Sequence, residues 1–125
     1  MTKTDLDALS EKIIGSAYKI SNSLGSGFLE KVYENALAHE LRKENIKIDQ
    51  QKSIKVYYDS IVVGDYFADL IVADEVIVEL KTAKQIGNAH LAQTLNYLKA
   101  TGLNLGLIIN FGNPRVEIKR VVNSL

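Results

Sequence analysis

Two acids and a lysine interrupt runs that are otherwise apolar. Asp69 lies in FADLIVAD, from Phe67 to Asp74, and Glu79 and Lys81 lie in VIVELKT, from Val76 to Thr82. Burying a charge is costly unless it is paired or hydrogen-bonded, so these three side chains need partners. Two carboxylates that face one another call for a cation, a shared proton or the ammonium of Lys81 between them. A hard divalent ion answers best. Mg²⁺ typically takes one or two protein carboxylates, keeps several waters and leaves room for phosphate oxygens, with Lys81 turned toward the same water or phosphate. The plainer alternative is a structural ion pair of Lys81 with either acid at a hairpin end, which contributes little to stability.

Strand periodicity decides whether these side chains can meet. Phe67, Asp69 and Ile71 alternate with Ala68, Leu70 and Val72, and Ile77, Glu79 and Lys81 alternate with Val76, Val78 and Leu80, the period of two that marks strands. Glu79 and Lys81 therefore share a face. A three-residue hairpin loop of Ala73, Asp74 and Glu75 pairs Val72 with Val76 and sets Asp69 opposite Glu79, with Cβ atoms ~5 Å apart. A two-residue loop would shift the register by one and put the acids on opposite faces.

The elements around this hairpin follow from pattern. Leu6, Leu9, Ile13, Ala17, Ile20 and Leu24 recur at three- and four-residue spacing, which predicts an amphipathic helix from Thr4, with Asp7 in a capping-box position, to Gly25. Gly25-Ser26-Gly27 reads as a tight turn into a second helix, from Phe28 to Glu44, with Leu29, Val32, Tyr33, Ala36, Leu37 and Leu41 inward. Strands are expected over Ile46–Tyr58, Ile61–Val63, Tyr66–Val72 and Val76–Lys81, with Asp59-Ser60 and Gly64-Asp65 as turns. A third helix over Asn88–Ala100 precedes an apolar strand buried on both faces, Leu103–Asn110, and a last strand, Val116–Val122. The order α-α-β-β-β-β-α-β-β is a mixed α/β, or α+β, sheet flanked by helices.

Composition bounds the partners. A chain of 125 residues, 46% hydrophobic, is expected to form one domain over residues 1–125. No run reaches the ~20 apolar residues of a membrane span, and MTKTDLDALSEK lacks the apolar core of a signal peptide, so no membrane partner and a cytoplasmic location are expected. Without cysteine there is neither a disulfide nor a thiolate metal site, and two histidines, His39 and His90, are too few for zinc. Fifteen acidic and fifteen basic residues cancel, so strong general attraction to nucleic acid is absent from the composition. A local basic patch remains open to Lys43, Lys47, Lys52, Lys55, Lys81, Lys84 and Lys99, any one of which can equally be solubilising surface.

An Asp closing one strand and Glu-x-Lys on the next resembles the PD-(D/E)XK nuclease superfamily, whose active site is that triad on a β-hairpin. GFLEKVYENAL, from Gly27 to Leu37, resembles the signature of its small bacterial GxxExxY branch through Gly27, Glu30 and Tyr33, and QTLNY supplies the Q-x-x-x-Y motif of exonuclease-type members through Gln93 and Tyr97. Ala68-Asp69 stands where the superfamily name has Pro-Asp. The resemblance spans about Leu24 to Phe111 and implies a restriction-endonuclease-like core behind an N-terminal helical hairpin.

It also implies a hydrolase of phosphodiester bonds in DNA or RNA, dependent on Mg²⁺ or Mn²⁺. Asp69, Glu79 and the Leu80 carbonyl would bind metal, with Glu30 joining through water, Lys81 and Gln93 serving catalysis, and Tyr97 and Lys84 contacting substrate. Each has a plainer role available. Glu30 in a first helical turn is favoured by the helix dipole alone, and Tyr33 and Tyr97 are also core aromatics with Gln93 hydrogen-bonded nearby. Glu34 is expected in solvent. The rival to a nuclease is a non-catalytic nuclease-fold module that binds a protein or nucleic acid, which zero net charge and small size favour. A homodimer would supply the clamp that so small a domain lacks. A hydrolase of a small phosphorylated molecule would need a closed pocket.

Overall fold

The computed structural model describes residues 1–124, so Leu125 of the expected domain lies outside the described residues. Helix α1 (Lys3–Leu24) starts one residue before its expected position, because Thr2 and Asp5 form the capping box, each side chain accepting the other's backbone N–H. Thr4-x-x-Asp7 has the same spacing, but it lies within the first helical turns. Gly25 and Gly27, at φ +70° and +110°, turn the chain in the left-handed region that costs glycine least. Helix α2 (Glu30–Lys43) follows. Leu29 and Val32, expected inward, are exposed: the helix opens at Glu30, leaving Leu29 outside the wound turn.

The sheet has the order β1-β2-β3-β4-β5. β1 (Ile48–Tyr58), β2 (Ile61–Val72) and β3 (Val76–Lys81) form an antiparallel meander, and α3 (Asn88–Thr101) carries the chain over to β4 (Leu105–Asn110), parallel to β3. β5 (Glu117–Val122) closes the far edge antiparallel to β4. β4 is buried along its whole length, as an apolar strand between two layers must be. One core packs α1 and α2 against Leu70, Val78, Leu80, Leu107 and Ile109, and the other packs α3 against Ile77, Ile108 and Val121.

The two strands expected at Ile61–Val63 and Tyr66–Val72 are one. Gly64 and Asp65 continue the ladder, paired with Val56 and Lys55 beside a register shift at Val56/Tyr57, so the glycine marks an irregularity inside a strand and no turn. Asp59 and Ser60, at φ +51° and +64°, make the tight hairpin at the tip. Only Leu70, Ile71 and Val72 of β2 pair with β3, so the outer parts of β1 and β2 leave the sheet as a two-stranded arm.

The arm also turns over. Ile48, Leu70 and Val72 face the α1/α2 core, while Ile54 and Ala68, of the same parity along their strands, face the α3 core. Between them lie Gln51, at φ +53°, and Asp69, the one opposed position where the β1–β2 pairing lapses.

Asn110, wholly buried at the end of β4 and opposite Lys81, anchors the loop that follows β3. Its Oδ1 accepts the N–H groups of Ala83 (2.9 Å) and Gly112 (3.0 Å), and its Nδ2 donates to the Ala83 carbonyl (2.9 Å) and to Glu117 (3.2 Å). Asn110→Ala orphans several backbone groups at once and is expected to cost about 2 kcal/mol or more, measured by urea unfolding. A loss below about 0.5 kcal/mol would show that water satisfies the loop without it.

Candidate active site

The loop after β2 has the three-residue form: Val72 pairs with Val76, and Ala73 and Asp74 take positive φ. The same register sets Asp69 against Glu79, one step past the last ladder pair. There the carboxylates replace the ladder. Glu79 Oε2 accepts the Asp69 N–H at 2.8 Å, and Asp69 Oδ2 accepts the Leu80 N–H at 2.8 Å. A strand residue presents its N–H and C=O to the same edge, so the Leu80 carbonyl leaves β3 toward the two acids.

Burial and like charge both act on this pair. Glu79 is 4% exposed, and burial, with the charge of Asp69 next, pushes its carboxyl up to about 8. Asp69, half-buried, is also raised, chiefly by burial, against the hydrogen bonds from Leu80 and Gln51. Lys81 is half-buried on the Glu79 face and makes no ion pair among the described residues, yet its charge stabilises both carboxylates. The structural ion pair that was the plainer alternative is therefore not formed.

A second tier stands behind Asp69. Gln51 Nε2 bridges Asp69 Oδ1 (3.1 Å) and Glu34 Oε1 (2.7 Å), and Glu34 Oε2 takes Gln50 (2.7 Å) and Lys31 (2.8 Å). Glu34 is buried, contrary to its expected place in solvent. Burial alone would raise its carboxyl, but donors from Lys31, Gln50 and Gln51 together hold it below its ordinary value. Gln50 and Gln51 come from β1, distant in sequence, which is why helix position alone misplaces it. The left-handed backbone of Gln51 is what turns its amide onto both acids, a strained residue at the centre of the site.

The remaining expected residues divide. Glu30 reaches the end of β3, where its Oε2 accepts the Thr82 N–H (3.2 Å) and lies 3.4 Å from the Thr82 hydroxyl. Its charge is felt by Glu79, but among the described residues no three His, Cys, Asp or Glu side chains cluster as metal ligands. Tyr33 is structural: it stacks on Phe111 at 4.4 Å, donates to the Gly25 carbonyl (2.6 Å) and accepts the Phe28 N–H (3.3 Å). Tyr97 is buried within the electrostatic reach of Glu79 and Asp69, and burial chiefly raises its phenol. Gln93 is exposed one turn earlier, Lys84 is exposed beyond β3, and His90 Nδ1 accepts the Gly87 N–H at its own helix start.

The donor set fits a hard ion. Its ligands are oxygens, its charges repel without a cation, and Glu79 Oε1 accepts no hydrogen bond among the described residues.

A single mixed sheet covered by helices on both faces, with an acid pair and a lysine at a meander hairpin, defines a nuclease-like fold. The chain belongs to the PD-(D/E)XK nuclease superfamily, whose sequence profile matches residues 7–121. No curated protein matches the chain. The solved crystal structure of SSO0001 is similar in fold, with a TM-score of 0.54 at 18% identity over 95% of this chain, which spans 60% of that structure's length.

Without divalent ions, Glu79 keeps in the folded state a proton that the unfolded chain releases near 4.5. That contribution to stability is full below about pH 4.5 and is lost as pH rises through about 8. In EDTA the melting temperature is expected to fall between about pH 5 and about pH 9, with a shallower slope in Glu79→Gln. An unchanged slope in that variant would assign the titration elsewhere.

Proposed function

We propose that the chain is a Mg²⁺- or Mn²⁺-dependent nuclease of the GxxExxY branch, hydrolysing phosphodiester bonds in DNA or RNA in the cytoplasm. The observation that carries this is the pair of half-dry acids, each accepting a backbone N–H of the other's strand, with an uncommitted lysine on the same face.

Asp69, Glu79 and the Leu80 carbonyl would hold the ion, and Glu30, parked at Thr82, would act from the outer side. When bound, the ion supplies Lewis acidity at a phosphate oxygen and lowers the pKa of water. Lys81 holds positive charge where charge grows on the phosphoryl oxygens and orients the attacking water. Gln51 fixes the Asp69 carboxylate by tying Oδ1 back to Glu34, leaving the acid little rotational freedom to lose when it binds. Gln93 and Tyr97 stand on the α3 side to position the substrate, with Lys84 on the loop beyond β3 as an outer phosphate contact.

Single- and double-stranded DNA and RNA incubated with Mg²⁺, Mn²⁺ or EDTA are expected to show metal-dependent cleavage, reduced at least ~100-fold by Asp69→Ala and by Lys81→Ala. Activity untouched by both substitutions would be a contaminant's. Calorimetric metal binding lost in Glu79→Ala, without turnover on any substrate, would establish the non-catalytic module instead.

A further inference from the structure

Between the two-stranded arm and α3 runs an open cleft of about 960 Å³. Its working surface is Tyr57, Tyr66, Gln93, Asn96, Tyr97 and Lys99. The volume is near the upper end of the ~300–1,000 Å³ of ligand clefts, and the openness to solvent along one side suits an elongated occupant.

Tyr66 is the centre of this surface. Gly64, two residues earlier on the same face of β2, has no side chain, and a Cβ built there would come within 3.1 Å of the Tyr66 ring. The ring thus lies down over the glycine, tilted 43° to Tyr97 at a centroid distance of 5.6 Å, and remains 48% exposed. An aromatic face laid flat and left uncovered is a stacking platform. Gln93 and Asn96 add amide donors and acceptors at the helix rim, and Lys99 makes no ion pair among the described residues, whereas Lys55 is already committed to Asp65 at 3.2 Å. The cleft lies near the acids: Tyr66 is three residues from Asp69 on β2, and Tyr97, which lines the cleft, is within the electrostatic reach of Glu79 and Asp69.

We propose that this cleft binds unpaired nucleotides of a single-stranded nucleic acid, with one base stacked on Tyr66 and a phosphate at Lys99, feeding the strand toward Asp69 and Glu79. This rests on the hydrolytic assignment above only for where the strand leads. A base in a duplex has both faces occupied and cannot lie on Tyr66, whereas a splayed base can. Few cations line the cleft, so most of the affinity comes from stacking, and the salt dependence is shallow, with a log–log slope of roughly −0.7 for each phosphate neutralised. The neutral composition, unsuited to gripping a duplex by its phosphates, is adequate for this mode.

The test is fluorescence anisotropy in EDTA, where nothing is cleaved, with labelled oligodeoxythymidine of about twelve nucleotides, the matching oligouridine and a duplex of equal length. Single strands are expected to bind at least ~10-fold tighter than the duplex, and Tyr66→Ala and Lys99→Glu each to weaken that binding, the first by ~10-fold or more. The DNA and RNA arms show which sugar is preferred. Glu11→Gln, exposed on α1 across the sheet from the cleft, is expected to keep the single-strand affinity, and circular dichroism confirms that each variant is folded. Equal or tighter duplex binding overturns the proposal, as does an affinity that survives both cleft substitutions. Cleavage in Mg²⁺ with cleft variants unimpaired in affinity would leave the nuclease assignment standing and remove the cleft. Stacking-dependent binding without cleavage in any metal would do the reverse.

Discussion

Where β2 parts from β3, two backbone N–H groups lose the carbonyls that a continuing ladder would have supplied, and Glu79 and Asp69 take their place. Buried backbone donors need acceptors, and here the acceptors are charged. The clasp therefore has two roles. It terminates the sheet at the point where the arm departs, and it holds two carboxylates in a partly dry setting that neither would choose alone. The cost shows in the raised carboxyls of both acids, and it is the same imbalance that makes a cation welcome.

The arm's inversion depends on that same point. Gln51 leaves the strand conformation opposite Asp69, and residues of one parity move from the α1/α2 side to the α3 side. Had β1 and β2 continued flat, Tyr66 would face the layer of α1 and α2, and Asp69 would have an ordinary cross-strand neighbour instead of a donor from Gln51. The strain at one non-glycine residue is thus tied to the aim of the site and to the existence of the cleft.

The hairpin was legible because strand parity and loop length are local: three loop residues and a period of two are enough to oppose Asp69 and Glu79. Glu34 and Gln51 were hidden, since each is made functional by the other across sixteen or more residues of chain. Asn110 was hidden for a different reason. It ends an apolar run and looks like a turn signal, while its amide in fact binds a loop twenty-seven positions earlier. Gly64 misled because Gly-Asp is also a hairpin-turn pair, whereas the register shift and the Tyr66 ring beside it are seen only in the fold. Glu30 was found by resemblance, and its partner Thr82 was not, because the contact joins a helix start to a strand end fifty-two residues away.

Zero net charge does not say which charges are already paired. Lys31 pairs with Glu34, Lys43 and Lys19 with Glu40, Lys47 with Asp74, Lys55 with Asp65 and Arg120 with Asp7, so much of the scaffold's charge is cancelled in place. Lys81, Lys84 and Lys99 enter none of these pairs, and they sit on β3, on the loop after it and on α3, the elements that carry or border the acids. Pairs cancelled at short range contribute little field beyond a Debye length of ~8 Å at physiological salt, whereas uncommitted charges beside a low-dielectric surface are screened less. Lys3, Lys12, Arg42, Lys52, Arg115 and Lys119 also stand outside these pairs and are spread over the rest of the surface, so a polyanion is held at the acids by Lys81, Lys84 and Lys99 and not by a one-sided field of the whole chain. The formal sum over the sequence is a poor guide to what the site attracts, and the placement of the three lysines is the better one.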